Sequence, residues 1–191
     1  EKSNNSDEYK SELEILTKLL IQRGIYSVED AAAFNAFELK KLHDPFLMHG
    51  MENAVNRILK AIRDNEKIMV YGDYDVDGTT SVALMISFLR EFTNNLIYYI
   101  PDRYSEGYGV SIQGIDTAKA EKAALIIALD CGIKAIEKIE YANTLGVDFI
   151  ICDHHTPGER VPDCMAVLDP KQPNCEYPYK ELCGAGVGFK L

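Results

Sequence analysis

The chain lacks the features that would place it outside the ordinary globular class. No apolar run approaches the roughly 20 residues that a membrane-spanning helix needs. The first ten residues, EKSNNSDEYK, contain no apolar core of the kind a secretory signal carries. Internal repeats and low-complexity segments are absent, which excludes solenoid and fibrous architectures. The five cysteines, at 131, 152, 164, 175 and 183, are odd in number and form no CxxC pair. They read as reduced thiols, with Cys131 and Cys152 buried beside strand ends, and predict a cytoplasmic compartment. Basic residues are scarce as well. Twenty Lys and Arg stand against thirty Asp and Glu, a net charge of −10. Taken alone, that balance argues against a nucleic-acid partner, whose phosphates are contacted by Lys and Arg. It suits an enzyme whose carboxylates hold cations, because bound metal neutralises part of the charge.

What is present is 191 residues, 47% of them apolar, enough for one domain with a sizeable core and a small appendage. Residues 1–8 are polar and read as disordered. Leu13, Leu16, Leu19 and Leu20 recur at helical spacing over Tyr9–Gln22, with Gly24 suited to end that helix. Ser27 opens a second short helix, with Asp30 three residues on as an acidic form of the capping box. Leu42–Leu47 reads as a loop, and Gly50–Asp64 as a third helix. His43 and His49 read as loop residues and not ligands, since no carboxylate cluster lies near them in sequence.

Near Asn65 the pattern changes class, predicting a helical region at 1–65 and an α/β domain at 66–191. Strands are predicted at Lys67–Tyr71, Leu96–Ile100, Ala124–Leu129, Val147–Cys152 and Met165–Leu168. Helices fit at Thr79–Phe92, Ser111–Ala120, Ile133–Leu145 and from about Leu182. Short apolar strands without polar alternation imply a sheet covered on both faces. The fold class is therefore α/β: a mainly parallel sheet of about five strands flanked by helices, preceded by the small helical region.

The stretch Lys67–Ser81, KIMVYGDYDVDGTTS, organises the rest. It reads as strand, tight turn at Gly78, and helix. Asp73, Asp75 and Asp77 alternate, which keeps their carboxylates on one side while the chain stays extended. Carboxylates this close repel unless cations sit between them, and hard divalent metals take such ligands. An EF-hand loop would need Glu where Leu84 stands and a helix before the loop, so that reading fails. The phosphatase signature DxDGT fits Asp75–Thr79 letter for letter, with Asp75 as nucleophile and Asp77 as acid/base.

Two later strands end in a similar way, at Asp130-Cys131-Gly132 and at Asp153-His154-His155. Ligands of open parallel sheets sit beyond the carboxyl ends of the strands, so these residues converge on one edge with Asp73, Asp75 and Asp77. Singly, each has a bland explanation. Asp130 could cap the helix from Ile133, for example, and a lone His is more often a hydrogen-bonded core residue. Together on one edge they point to a site.

GDYDVDGTTS, LDCGI and ICDHH resemble the first three motifs of the DHH phosphoesterases. LLIQRGI at 19–25, LHDPFLMHGMENAVNRI at 42–58, YYIPDRYSEGYG at 98–109 and DPKQPNCEYPYKELCGAGVGFKL at 169–191 further resemble the RecJ-like single-strand-specific DNA exonucleases of that superfamily. The resemblance covers nearly the whole chain after residue 10 and outweighs the DxDGT match, which predicts neither DHH nor LDCGI. It implies two divalent cations, manganese preferred and magnesium possible. Asp75 would hold one, Asp77 the other, and Asp130 would bridge them. His154 would be a further ligand, while His155 would face the scissile phosphate or assist the ligands. Asp73 would orient water or a ligand, and Asp153 would hold an imidazole by its ring N–H. The implied activity is 5′→3′ hydrolysis of single-stranded DNA in recombination and repair, with a repair helicase or single-strand-binding protein as implied partners. Arg103 is a candidate phosphate contact, with Tyr104 or Tyr108 to stack on a base. Gly184, Gly186 and Gly188 could offer N–H groups to phosphate, although such glycines more often permit close packing.

Two departures from the family pattern stand out. Tyr71 occupies a position where many relatives have His. The fourth motif's aspartate is not in the sequence, and Asp169 reads as a turn residue in its place. The basic surface that DNA needs would then lie in other domains of such an enzyme. The alternatives are a phosphoesterase acting on short oligonucleotides or small phosphate esters, and a non-catalytic metal-binding fragment.

Overall fold

The computed structural model describes residues 4–36 and 38–191, with side chains from residue 10 onward. Residues 1–3 of the segment expected to be disordered lie outside that description; from Asn4 the backbone is helical, five residues earlier than expected. The chain packs as two units, Glu1–Leu42 and His43–Leu191. The first contains α1 (Asn4–Gln22), after which Gly24 adopts φ +78, and α2 (Val28–Phe34). Ser27 caps α2: its hydroxyl accepts from the Asp30 N–H at 2.9 Å.

The second unit starts with a short 3₁₀ turn, Pro45–Leu47, whose cap is the Asp44 carboxylate accepting from the Phe46 N–H. Then follow α3 (Met51–Arg63), β1 (Lys67–Gly72), α4 (Val76–Leu89), β2 (Leu96–Tyr99), α5 (Ile112–Ala120), β3 (Ala123–Leu129), α6 (Ile136–Thr144), β4 (Asp148–Cys152), β5 (Ala166–Leu168) and α7 (Gly184–Lys190). All pairings are parallel, in the order β2-β1-β3-β4-β5. Although the sequence pattern changes class near residue 65, α3 packs in the same core as the sheet.

Alternate residues of each central strand enter opposite cores. Ile68, Val70, Leu125, Ile127 and Ile150 pack with Met51, Ala54 and Ile58 of α3 and with Val82, Met85 and Ile86 of α4. Met69, Tyr71, Ile126, Ala128, Phe149 and Ile151 pack with Ile115 of α5 and Ile139 of α6. Both sheet faces are therefore covered, which is why β1, β3 and β4 carry no polar alternation. Arg57 ties this body together at the amino edge of the sheet. It is 6% exposed and pairs with Glu66 before β1 at 2.7 Å and with Asp148 at the start of β4 at 2.6 Å.

Two local expectations need correction. The helix after β1 starts at Val76 and not at Thr79, because the Asp75 carboxylate accepts from the Gly78 N–H at 2.9 Å and caps it. Asp77 consequently lies on the first helical turn and is not part of an extended alternation. Gly78 is needed for proximity and not as a turn: a Cβ there would lie 2.4 Å from the Asp73 carbonyl oxygen. The helix expected from Ile133 begins at Ile136, and Asp130 does not cap it. The Ile133 N–H is taken instead by Asp153 Oδ2 at 2.9 Å.

Candidate metal centre at the carboxyl edge of the sheet

In a 2-1-3-4-5 parallel sheet the direction in which successive strands are added reverses between β1 and β3, and a crevice opens beyond their carboxyl ends. Asp73 follows β1, Asp130 follows β3, Asp153 follows β4 and Asp169 follows β5. All four are buried, at 0%, 1%, 1% and 0% exposure. Burying so many carboxylates together is costly, and each must be satisfied or hold a proton or a cation.

Asp153 is satisfied. Its Oδ1 accepts from the His154 and His155 backbone N–H groups at 2.7 and 3.1 Å and lies 2.7 Å from His155 Nδ1, while Oδ2 takes Ile133. This fixes the backbone of both histidines and the His155 ring, and leaves His155 Nε2 3.1 Å from the Tyr108 hydroxyl. Asp77 is also engaged: its Oδ2 and Oδ1 accept from the Gly184 and Ala185 N–H groups, each at 2.7 Å, at the start of α7.

Asp73 and Asp130 differ. Asp73 Oδ1 accepts from the Tyr74 N–H at 2.8 Å, but its buried Oδ2 has no hydrogen-bond partner. Burial holds its carboxyl above the usual range, with the Asp75 charge adding to the effect. Asp130 adopts φ +63, a left-handed conformation uncommon outside glycine, with its N–H on the Cys152 carbonyl at 2.8 Å. Its Oδ1 is 3.1 Å from His154 Nε2 and has no hydrogen-bond partner. Burial, then the charges of Asp77 and Asp75, push the Asp130 carboxyl up to about 8. Without a counter-ion this residue would keep a proton at neutral pH. His154 Nε2 also lies 3.7 Å from Asp77 Oδ2. Ligand atoms of Asp130, His154 and His155 fall within 4.8 Å of one another.

Residues 67–191 match the model of the DHH family, N-terminal domain. The chain belongs to the DHH family. It is similar to the single-stranded-DNA-specific exonuclease RecJ of Bacillus subtilis, 46% identical over 93% of this chain and 22% of that protein. The RecJ of Salmonella typhimurium is 37% identical over 93% of this chain and 30% of its own length. This DHH chain thus spans less than a third of these two relatives. Among solved structures, a RecJ exonuclease bound to manganese superposes with a TM-score of 0.67 at 33% identity, covering 75% of this chain and 36% of that one.

The donor set of the DHH site fits divalent cations. Unpartnered buried carboxylate oxygens on Asp73 and Asp130, with the His154 imidazole between Asp130 and Asp77, are hard oxygen and nitrogen donors with no other charge to balance them. Asp75 and Asp77 use some lone pairs on backbone N–H groups and retain others. Tyr71 is directed elsewhere. Its hydroxyl donates to the Gly109 carbonyl at 2.8 Å and accepts from the Ser111 N–H at 3.0 Å, anchoring the loop that brings Tyr108 to His155.

Of the predicted DNA contacts, Arg103 lies over the Tyr74 ring at 5.4 Å and Tyr108 meets both Tyr74 and His155 edge-on. Tyr104 is 94% exposed and touches no ring of the site. A cavity of about 290 Å³ opens beside His155, with Lys134 and Lys138 on its wall. The sequence reading did not include Asp169 in the site. One of its oxygens accepts from the Lys171 N–H, as a turn residue's would, but the other is buried without a partner, and burial raises the carboxyl to about 6. The available signal was its place: it follows a strand, as the other site aspartates do. Gly184, Gly186 and Gly188 do not form a phosphate cradle, since the Gly184 N–H is given to Asp77 and Gly186 donates to Cys183 Sγ.

Proposed function

We propose that this site hydrolyses phosphodiester bonds of single-stranded DNA, as a 5′→3′ exonuclease in recombination and repair, using two divalent cations with manganese preferred. The single observation that carries the proposal is Asp130: a buried carboxylate whose Oδ1 has no hydrogen-bond partner, lying between the acidic turn after β1 and His154. The names of the relatives supply the substrate, and the manganese-bound neighbour supports the metal. In this reading Asp75 and Asp77 would each hold one cation, Asp130 would serve both, and His154 would complete the set. When bound, the cations polarise phosphoryl oxygens and lower the pKa of water towards neutrality.

The chain's own residues do the rest. With Nδ1–H given to Asp153, His155 presents Nε2 to the opening, where it can take a proton and face a phosphate oxygen. Asp153 holds the ring in that orientation through Nδ1. Asp73 keeps one oxygen free to orient water. Tyr108 shields His155, and Arg103, with Tyr104 beyond it, extends the surface on which a strand could lie. Lys134 and Lys138 beside the cavity supply local positive charge in an acidic chain. Further basic surface is assigned to the larger remainder that the relatives possess.

The test is digestion of single-stranded DNA labelled at either end, with Mn²⁺, by a protein containing this chain and the remainder its relatives carry. Degradation from the 5′ end, lost in Asp130→Ala by at least about a hundredfold, is expected. Undiminished activity in Asp130→Ala would sink the two-metal assignment. Hydrolysis of small phosphate esters without DNA cleavage would leave the family right and the substrate wrong.

A further inference from the structure

We infer that Gly184 is a positioning residue, setting the separation between the Asp77 and Asp130 carboxylates. The inference rests on the reading of those two residues as metal ligands. Gly184 touches both. Its N–H donates to Asp77 Oδ2 while the neighbouring Ala185 N–H takes Oδ1, so the Asp77 carboxylate is held at both oxygens and cannot rotate. On its other side Gly184 lies against Asp130: a Cβ at position 184 would stand 2.5 Å from Asp130 Cβ, 2.7 Å from Cγ and 2.6 Å from Oδ1. The nearest of these, Cβ, is fixed to the Asp130 backbone and cannot swing aside. Asp130 is itself pinned, 1% exposed, with φ +63 and its N–H bonded to Cys152.

A side chain at 184 must therefore push α7 away from Asp77, or push Asp130 away from His154. Either movement changes the gap across which cations would be shared. Gly184 does not have a positive φ, so the need for glycine here is close approach and not backbone conformation. Gly188, on the same helix, has a different role. A Cβ there would meet Leu129 Cδ2 at 3.0 Å, a packing contact with a side chain's end.

The experiment compares Mn²⁺ affinity, by calorimetry, and thermal stability for the wild-type chain, Gly184→Ala and Gly188→Ala. The expected result is a Gly184→Ala protein that melts cooperatively but binds Mn²⁺ about tenfold or more weakly, the size of effect seen when groups that orient ligands are disturbed. Gly188→Ala should melt lower and bind as wild type does. Equal affinity for wild type and Gly184→Ala overturns the inference and leaves the metal reading standing. A wild type that takes up no Mn²⁺ overturns both. Should Gly184→Ala fail to fold, a Mg²⁺ titration of the wild type followed by amide NMR decides. The Gly184 and Ala185 signals are expected to move with the binding curve, and signals unchanged at saturation overturn the inference.

Discussion

At the scale of single residues, the site is defined by which carboxylate oxygens are used and which are not. Asp153 gives every oxygen to the DHH turn and to Ile133, whereas Asp73 and Asp130 each retain a buried oxygen with no partner. Replacing Asp153 by Ala would leave the Ile133, His154 and His155 N–H groups without their acceptor, and we expect metal affinity or activity to fall by about 10–100-fold; calorimetry and nuclease assays check this. Asp130 makes a pH prediction. Its carboxyl is raised from 3.8 to about 8 in the metal-free fold. The folded state therefore binds a proton more tightly than the unfolded state does. That contribution to stability is complete below about pH 4 and is lost as pH rises through about 8. A divalent cation must displace this proton, so the increase in melting temperature produced by Mn²⁺ should grow steadily from pH 5.5 to 8.5. An increase independent of pH would contradict the role given to Asp130. The carboxylates after β1, β3 and β4 and both histidines could be read from strand-end positions alone. Asp169 shares that position, but the DPK turn accounts for one of its oxygens, and only burial reveals the other as unpartnered.

At the scale of elements, the β1–α4 connection shows how local chemistry places the site. β1 ends against α4 so closely that a Cβ on Gly72 would stand 2.3 Å from Val82 Cγ2 and 2.7 Å from the Gly78 carbonyl oxygen. Gly72→Ala and Gly78→Ala should each destabilise the domain by roughly 1–3 kcal/mol or more, measured by urea unfolding, since a well-packed interior has no room to absorb the methyl. The strands and helices were legible because β-branched runs bounded by Asp, Gly and Asn allow few alternatives. Helix starts were less so. Asp75 and Asp77 both suit a helix start chemically, and only the bond from Gly78 to Asp75 decides that the helix begins at Val76. Likewise, the role of Tyr71 depends on the 38-residue separation from Gly109, which no local pattern encodes.

At the scale of the whole molecule, two ends of the sheet have separate tasks. The carboxyl edge gathers aspartates that oppose folding unless a proton or cation joins them. The amino edge is closed by Arg57 between Glu66 and Asp148. Arg57→Ala should cost about 2–3 kcal/mol, at the low end for a buried ion pair because its acidic partners keep some solvent. It should leave Mn²⁺ affinity unchanged, which urea unfolding and calorimetry on the same samples would show. The net charge of −10 argued against a nucleic-acid partner when treated as a sum. The fold brings six of the thirty acidic residues, Asp73, Asp75, Asp77, Asp130, Asp153 and Asp169, to one edge. Among the described residues, no helix is long and apolar enough to cross a membrane.

In the proposed function this edge holds divalent cations through Asp130 and His154, together with the carboxylates after β1. Its most direct test is anomalous scattering from crystals grown with Mn²⁺, recorded above and below the manganese edge. Peaks are expected within coordination distance of Asp130, Asp75, Asp77 and His154, and lost in crystals of Asp130→Ala. Saturating Mn²⁺ with no anomalous peak at these residues, or peaks that survive in Asp130→Ala, would contradict it.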